Sequence, residues 1–220
     1  MKLTRTNKQQ AGLAAFEVLV VLVTLGLLAG LVFLYPRKRV TSAATWSACL
    51  GNLKSVGLAQ LVWADGHATG HGTNDLPAAD PNILKHLGSG GIASYYKALS
   101  NELIAPRILK CPSDNRQYAT NFSSLTASHV SYFLNLSALS PFDTSKVMNG
   151  DRYITFTPEP SGQTVTITAN VSMQWTRKLG HDGVGNVVSV DGSVQRTSSR
   201  ELAKMFLPPS NSVPHRLLFP

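Results

Sequence analysis

From Leu13 to Tyr35 the chain carries a single charge, Glu17, in an otherwise uncharged apolar run. A helix crosses the hydrocarbon core of a bilayer with about 20 apolar residues, so this run predicts one transmembrane helix and ties the rest of the chain to a membrane. A carboxylate near one end of such a helix costs roughly 2.5 kcal/mol or more and persists where it has a partner or a task. The residues before the run hold Lys2, Arg5 and Lys8 and no acid, which keeps that end cytoplasmic and sends everything after Tyr35 across the membrane. Arg37, Lys38 and Arg39 pull the other way. A cleaved secretory signal is the rival reading, but Ala29 and Gly30 have Leu27 and Leu28 two positions before them, where a small residue is wanted. An uncleaved signal anchor fits the same pattern and stays open.

Beyond Tyr35 the helical signal resumes. Pro36 should kink the helix rather than end it, because Trp46, Leu50, Leu53, Gly57 and Leu61 recur at spacings of three or four. The spacing predicts one long helix from about Leu13 to about Ala64, closed by the Asp65-Gly66 breaker. Residues 66–220 then form one globular domain of ordinary size. Gly66 to Gly91 reads as a surface loop with a short apolar turn at Ile83 to Leu87, followed by a second helix from Ile92 to Leu103. Strands are expected at Val130–Leu134, Tyr153–Phe156, Thr164–Ala169, Val187–Val190 and Ser193–Arg196. Ser137 to Asp151 reads as a loop, and the proline-rich tail from Pro208 to Pro220 gives no signal. Helix first and strands after predicts an α+β fold, a long N-terminal helix packed on an antiparallel sheet.

The segment KQQAGLAAFEVLVVLVTLGLLAGLVF resembles the prepilin signal of type IV pilins and type II secretion pseudopilins. The resemblance implies cleavage by a prepilin peptidase between Gly12 and Leu13, methylation of the new amine, and Glu17 as the fifth residue of the mature chain. Leu13 stands where phenylalanine is usual. The organisation implied is a leader at 1–12, a transmembrane or filament-core helix at 13–35, its extracytoplasmic half at 36–65, and a globular pilin-like domain at 66–220. The new amine lies one helical turn from Glu17 and can compensate its charge, within one subunit or from the next. In such a filament Glu17 would set the axial register. The partners implied are other pilin or pseudopilin subunits, the peptidase, the assembly platform and the inner membrane, with the domain periplasmic and later part of a filament.

Two cysteines, Cys49 and Cys111, make up the thiol inventory. In an oxidising compartment a disulfide is the simplest reading, with two free buried thiols as the alternative. Both lie in segments with a further likeness. CLGNLKSVGLAQLVWADGH, from Cys49, and LKCPSD, from Leu109, are similar to two landmarks of the pilin-like proteins of Planctomycetes and Verrucomicrobia, whose third landmark is a histidine followed by Asp-Gly. Here that is His181 with Asp191-Gly192. Asp-Gly between β-rich arms also predicts a two-residue type I′ hairpin turn outright. Major pseudopilins hold calcium in a C-terminal loop, which the resemblance would place at Asp182, Asn186 and Asp191. These supply too few oxygens for calcium without backbone and water, and loop hydrogen bonding explains the same residues.

No enzyme motif appears. His67 and His71 share an i, i+4 spacing but sit among glycines with no glutamate between them, and G-x-S-x-G, a phosphate-cradling loop and Cys-x-x-Cys are all missing. The expectation is a protein without catalysis and without a required cofactor. The net charge of +8 falls to +5 without the leader (8 − 3), and its basic residues are dispersed outside Arg37–Arg39. A nucleic-acid groove is therefore not the first reading. The alternative of a different class is a signal-anchored extracytoplasmic protein binding a polysaccharide or surface ligand, with Trp63, Trp175 and the tyrosines as a platform if they are exposed.

Overall fold

The computed structural model describes residues 6–34, 37–67, 75–138, 143, 146–177, 180–206 and 214–220. The chain divides into two compact units, Met1–Ala43 and Ala44–Pro220. The division falls inside the second helix, so most of the extracytoplasmic half expected at 36–65 belongs with the globular part.

In the first unit, α1 (Thr6–Leu34) is one continuous helix that contains Gly12, Leu13 and Glu17. Side chains are described there from Phe16 to Leu31, and large apolar ones stand exposed all around it, Phe16, Val20, Leu22 and Leu27 among them. The expected span of 13–35 leaves the described residues at Tyr35. Among the described residues no helix is long and apolar enough to cross a membrane. Tyr35 and Pro36, where the kink is expected, also lie outside them.

The second unit is α+β, as the order of signals predicts. Its helices are the later part of α2 (Arg37–Gly66), α3 (Pro81–Ala98), α4 (Ser100–Leu103) and α5 (Ser199–Phe206). Its strands are β1 (Tyr132–Asn135), β2 (Val147–Asp151), β3 (Ile154–Thr157), β4 (Thr164–Ile167), β5 (Ser172–Trp175), β6 (Val184–Ser189), β7 (Val194–Ser198) and β8 (His215–Leu218). Six of them form an antiparallel sheet in the order β4-β8-β1-β2-β6-β7, and β3 pairs with β5 in a separate ribbon.

Alternate residues of a strand point to opposite faces, and here both faces are covered. On one side Tyr132, Leu134, Met148 and Val188 join Leu53, Val56 and Trp63 of α2 and Tyr95, Tyr96 and Leu99 of α3 and its C-terminal end. On the other, Phe133, Val147, Val187 and Leu217 meet Leu202 and Phe206 of α5 and Met173 and Trp175 of the ribbon. The stripe of α2 that is buried is Cys49, Leu53, Val56, Gln60 and Trp63, rotated from the expected Trp46-Leu50-Leu53-Gly57-Leu61 line, and it leaves Leu58 and Val62 exposed. The helix can lie directly on β6 because of Gly57, where a Cβ would come within 2.6 Å of Val188 Cγ2. Polar side chains link the layers: Tyr95 donates to Gln60 at 2.6 Å, Asn149 Nδ2 donates to the Tyr96 hydroxyl at 3.0 Å, and Gln60 donates to Asn149.

Several sequence expectations are corrected. The loop expected up to Gly91 contains most of α3, which starts at Pro81 because Asp80 caps it, its Oδ1 accepting from the Asn82 and Ile83 amides at 2.7 and 3.1 Å. The non-helical dihedrals of Gly91 bend α3 where a new helix was expected to begin. Ser137–Asp151 is not loop throughout, since β2 occupies its end. The tail holds β8, which lies between β4 and β1. The Asp191-Gly192 turn is a three-residue loop, not a type I′ turn. Ser189 and Ser193 close it with a 2.9 Å bond from the Ser189 amide to the Ser193 carbonyl, and only Gly192 takes a positive φ, 78°. A type I′ turn needs positive φ at both central residues, whereas a three-residue loop needs it once. The extra residue is Val190, whose buried side chain and 2.9 Å amide bond to the Lys146 carbonyl draw it into the core.

Candidate functional site

One residue from each of the three landmark segments, Cys49, Cys111 and His181, comes into one buried cluster. Cys49, on the buried stripe of α2, and Cys111, in the turn after Leu109, form a disulfide that spans 62 residues of sequence. The loop before β6 lays His181 against it, with Nε2 3.4 Å from Cys111 Sγ and Nδ1 3.4 Å from Ser113 Oγ. The same Nε2 is 3.6 Å from Oδ2 of Asp151, the last residue of β2. Asn186 of β6 holds that same oxygen through its backbone amide at 2.8 Å and its side-chain amide at 2.9 Å. Trp46 covers the imidazole, ring centroids 4.4 Å apart, and the Arg196 guanidinium lies 3.7 Å over the Trp46 ring.

Burial dominates the electrostatics. It pushes the Asp151 carboxyl up to about 7, although the two Asn186 bonds favour the charged form. Burial, followed by the positive charge of Arg196, pulls His181 down to about 4. Burial thus disfavours the charged form of each of these two neighbouring groups. Their effects on stability oppose each other: the contribution of Asp151 is lost as pH rises toward 7, and that of His181 is lost as pH falls toward 4. Asp151 Oδ1, Asn186 Oδ1 and the Tyr132 hydroxyl are buried there without hydrogen-bond partners.

A second charged group braces the same turn. Asp114 accepts from Arg152 Nε at 2.8 Å and Nη2 at 3.1 Å, a two-point clamp that ties the LKCPSD segment to the end of β2. Burial pushes the Asp114 carboxyl upward, but hydrogen bonds from Arg152 and its charge prevail and hold it at about 2. Its contribution is thus complete above the ordinary carboxylate value of 3.8 and lost as pH falls toward 2. Asp114→Asn is expected to cost about 2 kcal/mol at neutral pH, as for a buried hydrogen bond to a charged group, and to flatten the acid limb of the stability profile. Denaturant unfolding of both proteins across pH 2 to 7 in steps of about one unit measures this.

The residues singled out in the sequence separate into three places. His181, Cys49 and Cys111 come together. Asp191 and Gly192 lie at the β6–β7 loop, where a Cβ on Gly192 would touch Leu61 Cδ1 at 3.3 Å. Leu61 is 12 positions along α2 from Cys49, about 18 Å of helix, so the His-to-Asp-Gly spacing measures the length of β6 and not one site. The calcium trio is not brought together: Asp182 is exposed, Asn186 is buried against Asp151, and Asp191 Oδ1 accepts from the Ser193 amide at 2.8 Å. His71 lies outside the described residues, and His67 stacks on Trp63 with Nδ1 2.8 Å from the Trp63 carbonyl. Trp63 and Trp175 are buried core residues, as are Tyr95, Tyr96 and Tyr132, so these aromatics form no exposed platform. Asp151, Trp46 and Arg196 are the site residues that sequence reasoning missed, because each arrives from a different element.

Compared with known proteins, the chain matches no family model, no curated protein and no solved structure.

Proposed function

We propose that the chain is a structural subunit of a type II secretion pseudopilus or type IV pilus-like filament. It enters the inner membrane through α1, loses its first twelve residues to a prepilin peptidase, and presents the α+β domain on the outer side. The observation that carries this reading is the placement of Glu17. It is the one charge among the described side chains of α1, Phe16 to Leu31, which are otherwise apolar or neutral and stand exposed around the helix. A helix apolar all round has to be covered, by lipid or by other helices. Copies of itself meet that need and supply an amine, at Leu13 of a neighbour, for the carboxylate.

The disulfide supports placement in an oxidising compartment, where such bonds persist. In this reading the domain transmits assembly rather than performing chemistry, and the exposed Leu58 and Val62 of α2 are available to neighbouring subunits. Glu17→Ala is expected to leave cleavage and membrane insertion intact and to lower co-purification with filament partners at least about tenfold, the factor for about 1.4 kcal/mol. Co-purification at the level of the unmodified chain would contradict the role given to Glu17.

A further inference from the structure

The disulfide is surrounded by groups that a disulfide does not need. Among the described residues, Cys49, Cys111 and His181 are the one set of three whose ligand atoms converge, all within 4.8 Å of one another. Zinc bound by sulfur, nitrogen and oxygen at about 2.3, 2.0 and 2.0 Å in a tetrahedron holds sulfur and nitrogen about 3.5 Å apart and nitrogen and oxygen about 3.3 Å apart. The observed separations are 3.4 Å from Cys111 Sγ to His181 Nε2 and 3.6 Å from that nitrogen to Asp151 Oδ2. The two sulfurs are closer than a metal would hold them, as their covalent bond requires.

The surroundings suit a metal as well. Ser113 Oγ stands at the other ring nitrogen, Nδ1, where zinc-bound histidines place an oxygen that fixes tautomer and ring orientation. Asn186 steadies Asp151 Oδ2 with two hydrogen bonds, the arrangement expected around a ligating carboxylate. Asp151 Oδ1, by contrast, is buried with no hydrogen-bond partner. A buried carboxyl group with one oxygen unpaired is an expensive way to pack a disulfide, and becomes a reasonable one if a cation sits beside it in another state.

We propose that the reduced form of this protein binds a thiophilic divalent cation, zinc by its ligand set, through Cys49, Cys111 and His181 with Asp151 closing the fourth position, and that disulfide formation excludes the metal. The chemistry balances in two steps. A dithiol reductant transfers two electrons and two protons to the Cys49–Cys111 bond, becoming a cyclic disulfide and leaving two thiols. Zinc then displaces one proton from each thiol and bonds to both sulfurs. The pocket thus has two closed states, one cross-linked by sulfur and the other by metal, and both tie α2 to the Cys111 turn. The proposal does not depend on the filament reading.

The test uses the untagged full-length chain in detergent, reduced with a dithiol under inert gas and freed of reductant. Zinc and, separately, cobalt(II) are the probes. The expected result is about one zinc per chain after gel filtration, and with cobalt the thiolate charge-transfer and tetrahedral d–d bands. The oxidised chain and the Cys49→Ser/Cys111→Ser variant should bind at least about tenfold more weakly, and His181→Ala should weaken the reduced chain by a similar factor. Zinc binding by the reduced chain no tighter than by the oxidised one, or cobalt bound without a thiolate band, overturns the proposal. If reduction unfolds the domain, zinc must restore its circular dichroism, since ligand binding is then coupled to folding. Failure to restore it overturns the proposal equally.

Discussion

Removing the last strand is expected to unfold the globular domain. A chain ending at Val213 loses β8, which pairs with β4 through Thr164↔Leu218 to Ile167↔His215 and with β1 through Leu134↔Leu218 and Asn135↔Leu217. The cost has two parts. Leu217 and Leu218 are buried and Phe219 stacks against Phe133 and Phe156 at 5.5 and 5.3 Å, so three apolar side chains worth roughly 2 kcal/mol each leave the core. The ladder on both sides is lost as well, leaving β4 with no partner strand and unpairing the β1 groups that face β8, while β1 keeps its pairing with β2. The sum is comparable with the whole stability of an ordinary domain, about 5–15 kcal/mol. Arg116 also loses the Pro220 carbonyl, which it reaches at 3.2 Å. Circular dichroism and denaturant titration of the truncated chain should show no cooperative transition. A transition within about 2 kcal/mol of the full chain's would mean that β8 is an accessory strand.

The second large effect is that of the disulfide. Changing Cys49 and Cys111 to serine opens a loop of 62 residues, and the chain-entropy relation puts the loss at about 4 kcal/mol. Both positions are fully buried, so two hydroxyls would also be placed in an apolar setting beside Trp46 and His181. With a urea slope of about 2 kcal/mol/M, the unfolding midpoint should fall by about 2 M. The same shift is expected for the unmodified chain in strong reductant with a chelator present. A shift below about 0.5 M in both experiments would show that α2 and the Cys111 turn are held by packing alone.

Much of this architecture was legible in the sequence, and its limits have physical causes. The strands that announced themselves, at Tyr132, Ile154, Thr164, Val187 and Val194, are β-rich runs bounded by turn residues. The three that were missed carry weaker signals. β2, with Asn149, Gly150 and Asp151 in five residues, would read as a turn anywhere else. It is a strand because Asn149 and one oxygen of Asp151 find partners that only the folded state brings: Gln60, Tyr96 and the Phe133 carbonyl for Asn149, Asn186 for Asp151 Oδ2. β5 is short and alternates buried with exposed residues over four positions. β8 lies between Pro214 and Pro220, so tail composition masked it. α5 was hidden for a different reason, since its two buried residues, Leu202 and Phe206, give one helical repeat.

The candidate site was half visible. Cys49, Cys111 and His181 could be named in advance, and so could the pairing of the two cysteines, but the approach of His181 to that pair could not. Asp151 gave no sign of being a site residue, because the carboxylate matters through where β2 ends and not through its neighbours in sequence. Asp191 and Gly192, named together with His181, turn out to shape the opposite end of β6, and their role is explained by the turn alone.

The central claim is that this chain is a processed filament subunit, and intact mass with N-terminal peptide mapping of the protein recovered from its native membrane tests it most directly. The expected result is a chain beginning at Leu13 with a methylated amine. A chain still beginning at Met1, in cells whose prepilin peptidase is active, would contradict it and leave a signal-anchored surface protein in its place.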